Sequence, residues 1–245
     1  MRGAPAHLSP RLCTSPPQVT SGAEALADLL IKHGADPNAI SDGVTPLLLA
    51  CQAGSMKLIA SLLEKGAQVH TAADSGVTPL MVLAASGHVR GVRLLLEAAK
   101  GPPEVTSLVI DATTENGTAA LHTAARQAHS KVVSELLAAG ASVSIRDLSG
   151  QSALGAAFDG LQSVAKYVEE ALQEYAASQD RKLGNDMLAR AAQSHVDVME
   201  LLIAQGAEPS LIDKDGNTVD GATIVATFRN LAKGVDDEDA PKDEL

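Results

Sequence analysis

The chain has 245 residues, a formal net charge of −11 at pH 7 and 2% aromatic residues, with no Trp. This composition predicts no nucleic-acid partner, because phosphate backbones need basic patches and base stacking needs aromatic rings. It also predicts no membrane insertion, because no window of the sequence approaches about 18 unbroken apolar residues.

The first predicted element is a helix over residues 22–32, which ends at Gly34, a residue suited to a left-handed helix C-cap. Residues 1–21 contain four prolines and are predicted to be disordered. In the repeat frame described next, a partner helix would fall near residues 13–17, where two prolines prevent it. We therefore expect residues 22–40 to be half a repeat with an uncovered apolar face. We interpret the first Met as not being the native start.

A hydrophobic residue recurs along the chain and is called the marker. The markers are Leu47, Leu80, Leu121, Leu154 and Met187, at spacings of 33, 41, 33 and 33. Before the first marker, Thr45 can cap a helix and Pro46 suits its first position. Small residues follow, and then a second helix with a pair such as Leu62 and Leu63 ends at a Gly. Each unit is predicted to be turn, helix, helix.

The period divides the chain into one elongated domain over residues 22–232. The predicted units are 41–72, 73–113 with an insertion, 114–145, 146–178 and 179–212, followed by a terminal cap at 213–232. Asp220 falls at the marker position of that cap, 33 residues after Met187. In the insertion, Leu108, Val109 and Ile110 either pack under a loop or are exposed to a partner.

These units resemble the ankyrin repeat family, whose Thr-Pro-Leu-His, Leu-Leu and Gly-Ala-Asp pattern they follow. The resemblance implies an all-α solenoid of helix-turn-helix repeats joined by β-turn or hairpin fingers. It implies that His88 and His122 hydrogen-bond backbone groups of neighbouring repeats, and His129 and His195 share the loop position of His88. Two departures are Ala119-Ala120 in place of Thr-Pro and Gly155 in place of the motif His.

The resemblance further implies a non-catalytic protein-interaction module that binds a protein partner through its concave face. Positions five and six after each marker, together with the turn tips, are expected to line that face. The candidate partner-binding residues are Asp42, Gln52, Asp74, Ser86, Glu115, Arg126, Gln127, Arg146, Asp147, Asp159 and Gln193. Ala192 and Gly160 fall at equivalent exposed positions of the frame. A cytosolic adaptor or regulatory subunit is the alternative in the same class, and we expect a monomer.

The sequence contains no metal-ligand spacing, no phosphate-binding glycine loop and no nucleophile motif. We therefore expect no cofactor, no metal and no catalytic residue, although an enzyme stays open as a function of another class. Cys51 is interpreted as a buried thiol, with a bridge to Cys13 as the alternative. Asn38 has either the spacing of an asparagine-hydroxylation acceptor or the role of a turn residue.

Residues 233–245 are predicted to be a disordered acidic tail. They end in Lys242, Asp243, Glu244 and Leu245, the retrieval signal of the endoplasmic reticulum, which predicts lumenal residence and binding to the retrieval receptor. Asn116 begins a glycosylation sequon on a predicted turn. No entry signal is found in residues 1–20, so the cytoplasm is the alternative compartment.

Overall fold

The computed structural model describes residues 21–101, 103–175, 181–212 and 218–236. Within them the chain forms helices and one short β-hairpin. The helices are α1 (Ser21–Lys32), α2 (Pro46–Gln52), α3 (Met56–Glu64), α4 (Pro79–Ala85), α5 (Val89–Ala98), α6 (Pro103–Ile110), α7 (Ala120–Arg126), α8 (Ser130–Ala138), α9 (Ala153–Tyr175), α10 (Arg181–Ala204) and α11 (Gly221–Asp236). The strands are β1 (Ser210–Ile212) and β2 (Thr218–Asp220), which pair antiparallel.

The predicted helix pairs are present as α2 with α3, α4 with α5, and α7 with α8. The first helices α2 and α4 begin as the sequence predicts, because the hydroxyls of Thr45 and Thr78 accept hydrogen bonds from backbone N–H groups at 3.3 Å. A proline occupies the first helical position in both. The all-α solenoid fold is therefore confirmed.

The core runs through the stack as one aliphatic cluster. The marker residues Leu47, Leu80, Leu121 and Leu154 are all at most 2% exposed. First helices also bury alanines such as Ala84 and Ala124, whose small side chains let neighbouring helices approach closely. Each buried leucine contributes about 1.5–3 kcal/mol relative to an exposed one, so the stacked markers provide much of the stability.

The insertion after α5 forms a helix of eight residues, α6. Val109 and Ile110 are each 2% exposed and join the core, whereas Leu108 is 72% exposed. The hydroxyl of Thr106 ties this helix to the preceding one by donating to the Ala99 carbonyl at 3.2 Å. Val109 and Ile110 are therefore packed and Leu108 is exposed, and contact of Leu108 with a partner stays a prediction.

The two helix pairs predicted over residues 146–178 and 179–212 are replaced by the single long helices α9 and α10. In earlier pairs, a residue with positive φ ends the first helix seven positions after the marker, namely Gly87 at 69° and Ala128 at 55°. The equivalent positions hold Leu161 and Ser194, which continue as helix. A large side chain disfavours the left-handed conformation, and Leu161 is also buried, so the break is lost.

Hydrogen bonds of two histidines show how α9 and α10 relate to the stack. His129 Nε2 contacts the Ala85 carbonyl oxygen at 3.0 Å, and His195 Nε2 contacts the Arg126 carbonyl oxygen at 3.2 Å. Ala85 and Arg126 each lie five residues after a marker. His195 therefore belongs to the helix pair that directly follows α7 and α8.

The start of α9 and the end of α10 form that pair, and the intervening helical residues extend it. The helices continue for roughly 20 Å past Leu161, at a rise of about 1.5 Å per residue. Met187 lies inside α10 rather than near the start of a first helix, so it does not mark a new unit. Its spacing of 33 from Leu154 reflects the length of the extension.

The described residues of the predicted terminal cap form β2 and the first part of α11, in a register that differs from the predicted one. The carboxylate of Asp220 accepts hydrogen bonds from the Ala222 N–H at 3.1 Å and the Thr223 hydroxyl at 2.7 Å. Asp220 is therefore the N-cap residue of α11, as Thr45 is the N-cap residue of α2. It does not occupy the marker position. α11 packs on α10, and Arg229 forms an ion pair with Glu200.

The turns before the first helices project as fingers, here called finger 1 (residues 41–44), finger 2 (73–77), finger 3 (113–119) and finger 4 (146–152). Neighbouring fingers are in close contact. Gly117 has φ 76°, and a Cβ there would lie 3.0 Å from Asp147 Cα in finger 4. The Leu148 N–H also donates to the Asn116 carbonyl at 2.9 Å. The fingers therefore form a continuous row.

His122 joins finger 4 to the preceding helix. Its Nδ1 accepts from the Ala119 N–H at 3.3 Å, so Nε2 carries the proton and donates to the Gln151 carbonyl at 3.2 Å. This confirms the structural role that the resemblance implied for His122. His88 lies against Gly54 of the preceding pair and begins α5 without a side-chain cap.

Replacing Gly117 by Ala tests the stacking of the fingers. Gly150 is the matched control, because its φ is 77° but no atom lies within 4 Å of the position its Cβ would take. We expect Gly150→Ala to lower the unfolding free energy by about 1 kcal/mol through backbone strain, and Gly117→Ala to lower it by roughly 1–2 kcal/mol more. Urea unfolding measures both. Equal losses of unfolding free energy in the two variants would show that contact between fingers does not contribute to stability.

The burial of His122 predicts a pH dependence. Burial lowers the pKa of His122 because it disfavours the charged imidazolium. The folded state then binds fewer protons than the unfolded state, so stability is retained above the ordinary pKa of about 6.5 and falls as the pH drops below it. Between pH 7.5 and 5.5, His122→Asn should lose less stability than the wild type. The exposed control His70→Asn should match the wild type, and identical losses in all three proteins would contradict the prediction.

Candidate protein-binding surface

Most candidate residues lie exposed along the finger row and the first helices. The exposed members are Asp42, Gln52, Asp74, Ser86, Glu115, Arg126, Gln127 and Arg146. The acidic members Asp42, Asp74 and Glu115 belong to fingers 1, 2 and 3. Arg126 and Gln127 lie at the end of α7. The described surface therefore changes along the stack from acidic finger tips to a part that carries arginines.

Two candidates in finger 4 also have structural roles. The guanidinium of Arg146 donates to the Gly150 carbonyl at 3.0 Å and to the Glu208 carboxylate at 2.8 Å. The half-buried carboxylate of Asp147 accepts from the backbone N–H groups of Ser149 and Gln151 at 2.8 and 3.0 Å. These bonds hold the finger in one conformation. They also make both residues poor choices for a mutation that should leave the fold intact.

The long helices change the environment of the last candidates. Asp159 is half-buried in α9 and accepts a hydrogen bond from the Gln151 side chain at 3.1 Å. Gln193 is exposed but lies in α10, two residues before His195, where it donates to Asp197 at 2.7 Å. Its expected place on a first helix was wrong, because the helix does not break at Ser194.

Two further positions of the frame are also corrected. Ala192 is 0% exposed and Gly160 is buried, although both were expected to face a partner. A Cβ at Gly160 would lie 2.2 Å from the Arg126 carbonyl oxygen and 2.6 Å from His195 Nε2. Both residues therefore pack inside the helix pair.

The repeat period did not predict one exposed apolar residue of the finger row. Leu148, in finger 4, is 79% exposed, and its backbone N–H is held by finger 3. The period could not identify it, because the tips of fingers 1 to 3 carry polar or small residues and no rule of the frame places a leucine there. The signal available in the sequence was a large apolar residue between Asp147 and Ser149.

Two groups outside the fingers have structural roles. Asn38 Nδ2 donates to the Gly66 carbonyl at 3.1 Å, and its Oδ1 accepts from the Gln68 N–H at 2.8 Å. These bonds join the loop after α1 to the loop after α3 and favour the turn interpretation of Asn38. Burial raises the pKa of the free Cys51 thiol to about 12, so this thiol has little nucleophilic character.

The described residues provide neither a metal site nor a membrane-spanning helix. No group of three or more His, Cys, Asp or Glu side chains comes together among them in a way that could hold a metal ion. None of the described helices has the length and apolar character needed to span a membrane. An open groove of about 780 Å³ lies between α8, α10 and α11, lined by side chains that include Leu201, Ile203 and Val225.

Comparison with known proteins agrees with this geometry. A family model described as ankyrin repeats in three copies matches residues 19–107, and a model of one ankyrin repeat matches residues 116–148. The potassium channel AKT2/3 of Arabidopsis thaliana is 35% identical over 111 residues, which are 44% of this chain and 13% of the channel. The chain thus spans a small part of that relative. Residues 19–107 and 116–148 are thus similar to ankyrin repeats, and the described part of the chain folds as an all-α ankyrin-repeat solenoid.

Proposed function

We propose that this protein is a non-catalytic binding module that holds a protein partner against its fingers and first helices. Ankyrin repeats imply a protein-interaction module in general, and the proposal adds the surface that does the binding. The supporting observation is Leu148, a large apolar side chain that is 79% exposed on a finger held by hydrogen bonds. Apolar side chains on rigid supports lose little entropy on binding, so they can anchor a partner.

The neighbouring charges indicate the chemistry of the partner. Arg126 and Gln127 are exposed at the end of α7, in the unit whose finger contacts finger 4. We infer that the partner covers Leu148 with an apolar side chain and presents an acidic group to Arg126. A guanidinium pairs well with a carboxylate, because its donors match the two oxygens.

The test of the apolar anchor is Leu148→Ser in the full chain. Leu108→Ser is the matched control, since Leu108 is 72% exposed but lies on α6, outside the fingers. Proteins that co-purify with the tagged chain from cells are first identified by mass spectrometry. For the most enriched partner, we expect Leu148→Ser to weaken the Kd by about tenfold, or about 1.4 kcal/mol. Leu108→Ser should leave it unchanged.

Arg126→Glu tests the contribution of the positive charge at Arg126. Its matched control is Lys57→Glu, which makes the same charge change at an exposed position of the second helix α3. Only Arg126→Glu should weaken binding of that partner. Circular dichroism confirms that each variant is folded. Equal effects of the two charge reversals, or a partner lost with Leu108→Ser but retained with Leu148→Ser, would refute the proposed surface.

Residence in the lumen of the endoplasmic reticulum is proposed as the setting of this module, with the cytoplasm as the other candidate. The support within the described residues is Asn116, which is exposed on finger 3 and begins an Asn-Gly-Thr sequon. An exposed turn can accept a glycan without loss of packing. The retrieval motif Lys242–Leu245 lies outside the described residues.

Glycosylation of Asn116 tests this setting. Expressed in cells from the native-length gene with an internal tag, the chain should carry a glycan that endoglycosidase removes. Asn116→Gln should migrate as the deglycosylated wild type does. An unglycosylated wild type that fractionates with cytosolic proteins would remove the lumenal proposal and leave the binding surface untouched.

A further inference from the structure

Exposed apolar side chains concentrate at the N-terminal end of the described stack. Five of the seven large apolar residues that are exposed among the described residues fall between positions 26 and 49, and they are called the end patch. The end patch consists of Leu26, Leu29, Leu30, Ile40 and Leu49, each 52–66% exposed. Such a concentration is uncommon on a soluble surface and indicates an interaction site.

Equivalent leucines identify what is uncovered at α1. Leu30 lies four residues before Gly34, as Leu62 lies four residues before Gly66. Leu62 is 0% exposed because it packs in the core between α3 and its first helix α2, whereas Leu30 is 54% exposed. The end patch therefore includes the surface against which a first helix would pack.

By the same comparison of equivalent positions, Leu49 faces the place that a preceding first helix would occupy. It lies two residues after its marker, where the next units have Val82 and Thr123, both half-buried. Those two residues lie on α4 and α7, each of which packs against the first helix that precedes it. Among the described residues no first helix precedes α2, and Leu49 is 55% exposed. One covering segment would thus contact both α1 and α2.

We propose that residues 1–20 of this chain cover the end patch as an extended, proline-rich segment. These residues join α1 directly, so the segment is always present beside the patch at a high effective concentration. They supply Leu8, Leu12 and Val19 for apolar contact. Their prolines favour an extended conformation over a helix.

Charge complementarity supports the same occupant. Residues 1–20 contain two arginines and no acidic residue, whereas residues 21–45 contain four acidic residues and one lysine. Asp36 and Asp42, which are exposed, belong to the acidic part. The basic segment is therefore attracted to the part of the chain that it covers. A second copy would instead bring a like-charged end against this one.

Disulfide trapping in the full chain tests the proposal, because Cys13 lies within the covering segment. The buried Cys51 thiol, whose pKa is about 12, does not compete. Leu26→Cys and Leu29→Cys each introduce a thiol in the end patch, and Leu108→Cys introduces one elsewhere. Under mild oxidation at low protein concentration, at least one end-patch variant should form an intramolecular bond with Cys13 about tenfold faster than Leu108→Cys does.

A second substitution separates docking from random collision of a tethered segment. Leu12→Ser removes an apolar contact without changing the tether, so it should slow trapping by about tenfold if the segment is docked. An unchanged rate with Leu12→Ser, or rates no faster than Leu108→Cys, would overturn the proposal. A disulfide-linked dimer whose formation depends on protein concentration would also overturn it, because the occupant would then be a second copy.

Discussion

Contact between neighbouring helix pairs is the interaction on which the rest of this structure depends. A pair such as α2 and α3 cannot enclose its own core, because the apolar side chains of its first helix also face the next first helix. Buried markers and small residues such as Ala84 and Ala124 permit this close stacking. His122 and His129 add hydrogen bonds that cross from one unit to the next. Stability is therefore shared along the stack, and each unit needs a neighbour.

The sequence was sufficient to predict the fold wherever the signals for breaking a helix were present. Thr45 and Thr78 start helices where predicted, and Gly87 ends one. The prediction failed at Leu161 and Ser194, where spacing alone suggested a further break. A period in the sequence reports distance along the chain, whereas a break also needs a residue in the left-handed conformation, which Gly87 and Ala128 adopt and the large, buried Leu161 does not. The spacing of the markers and the helix-breaking residues agree in the first units and disagree in α9 and α10.

The candidate surface was predicted to the same extent and for the same reason. The candidates Gln52, Ser86, Arg126 and Gln127, counted from their markers, are exposed as expected at the ends of α2, α4 and α7, because the geometry of these helices repeats. Gln193 was counted from Met187, which is not the start of a helix pair, so Gln193 is exposed on α10 and not on a first helix. Leu148 was missed because an exposed leucine follows from no periodic rule. The residues that distinguish one repeat protein from another lie at variable positions. The repeat period therefore predicts which positions are exposed, but not which exposed side chains bind a partner.

The end patch and Leu148 are both exposed and apolar, but their places in the stack of helix pairs indicate different roles. Leu30 has buried equivalents in the described units that follow, so its exposure indicates a missing neighbour within the fold. Leu148 sits at a finger tip, where no helix of the described stack would cover it. This difference supports the two proposals, which are packing of the chain on itself for the end patch and contact with an external partner for Leu148. In a repeat protein, the units serve as references for each other, because equivalent residues have equivalent neighbours.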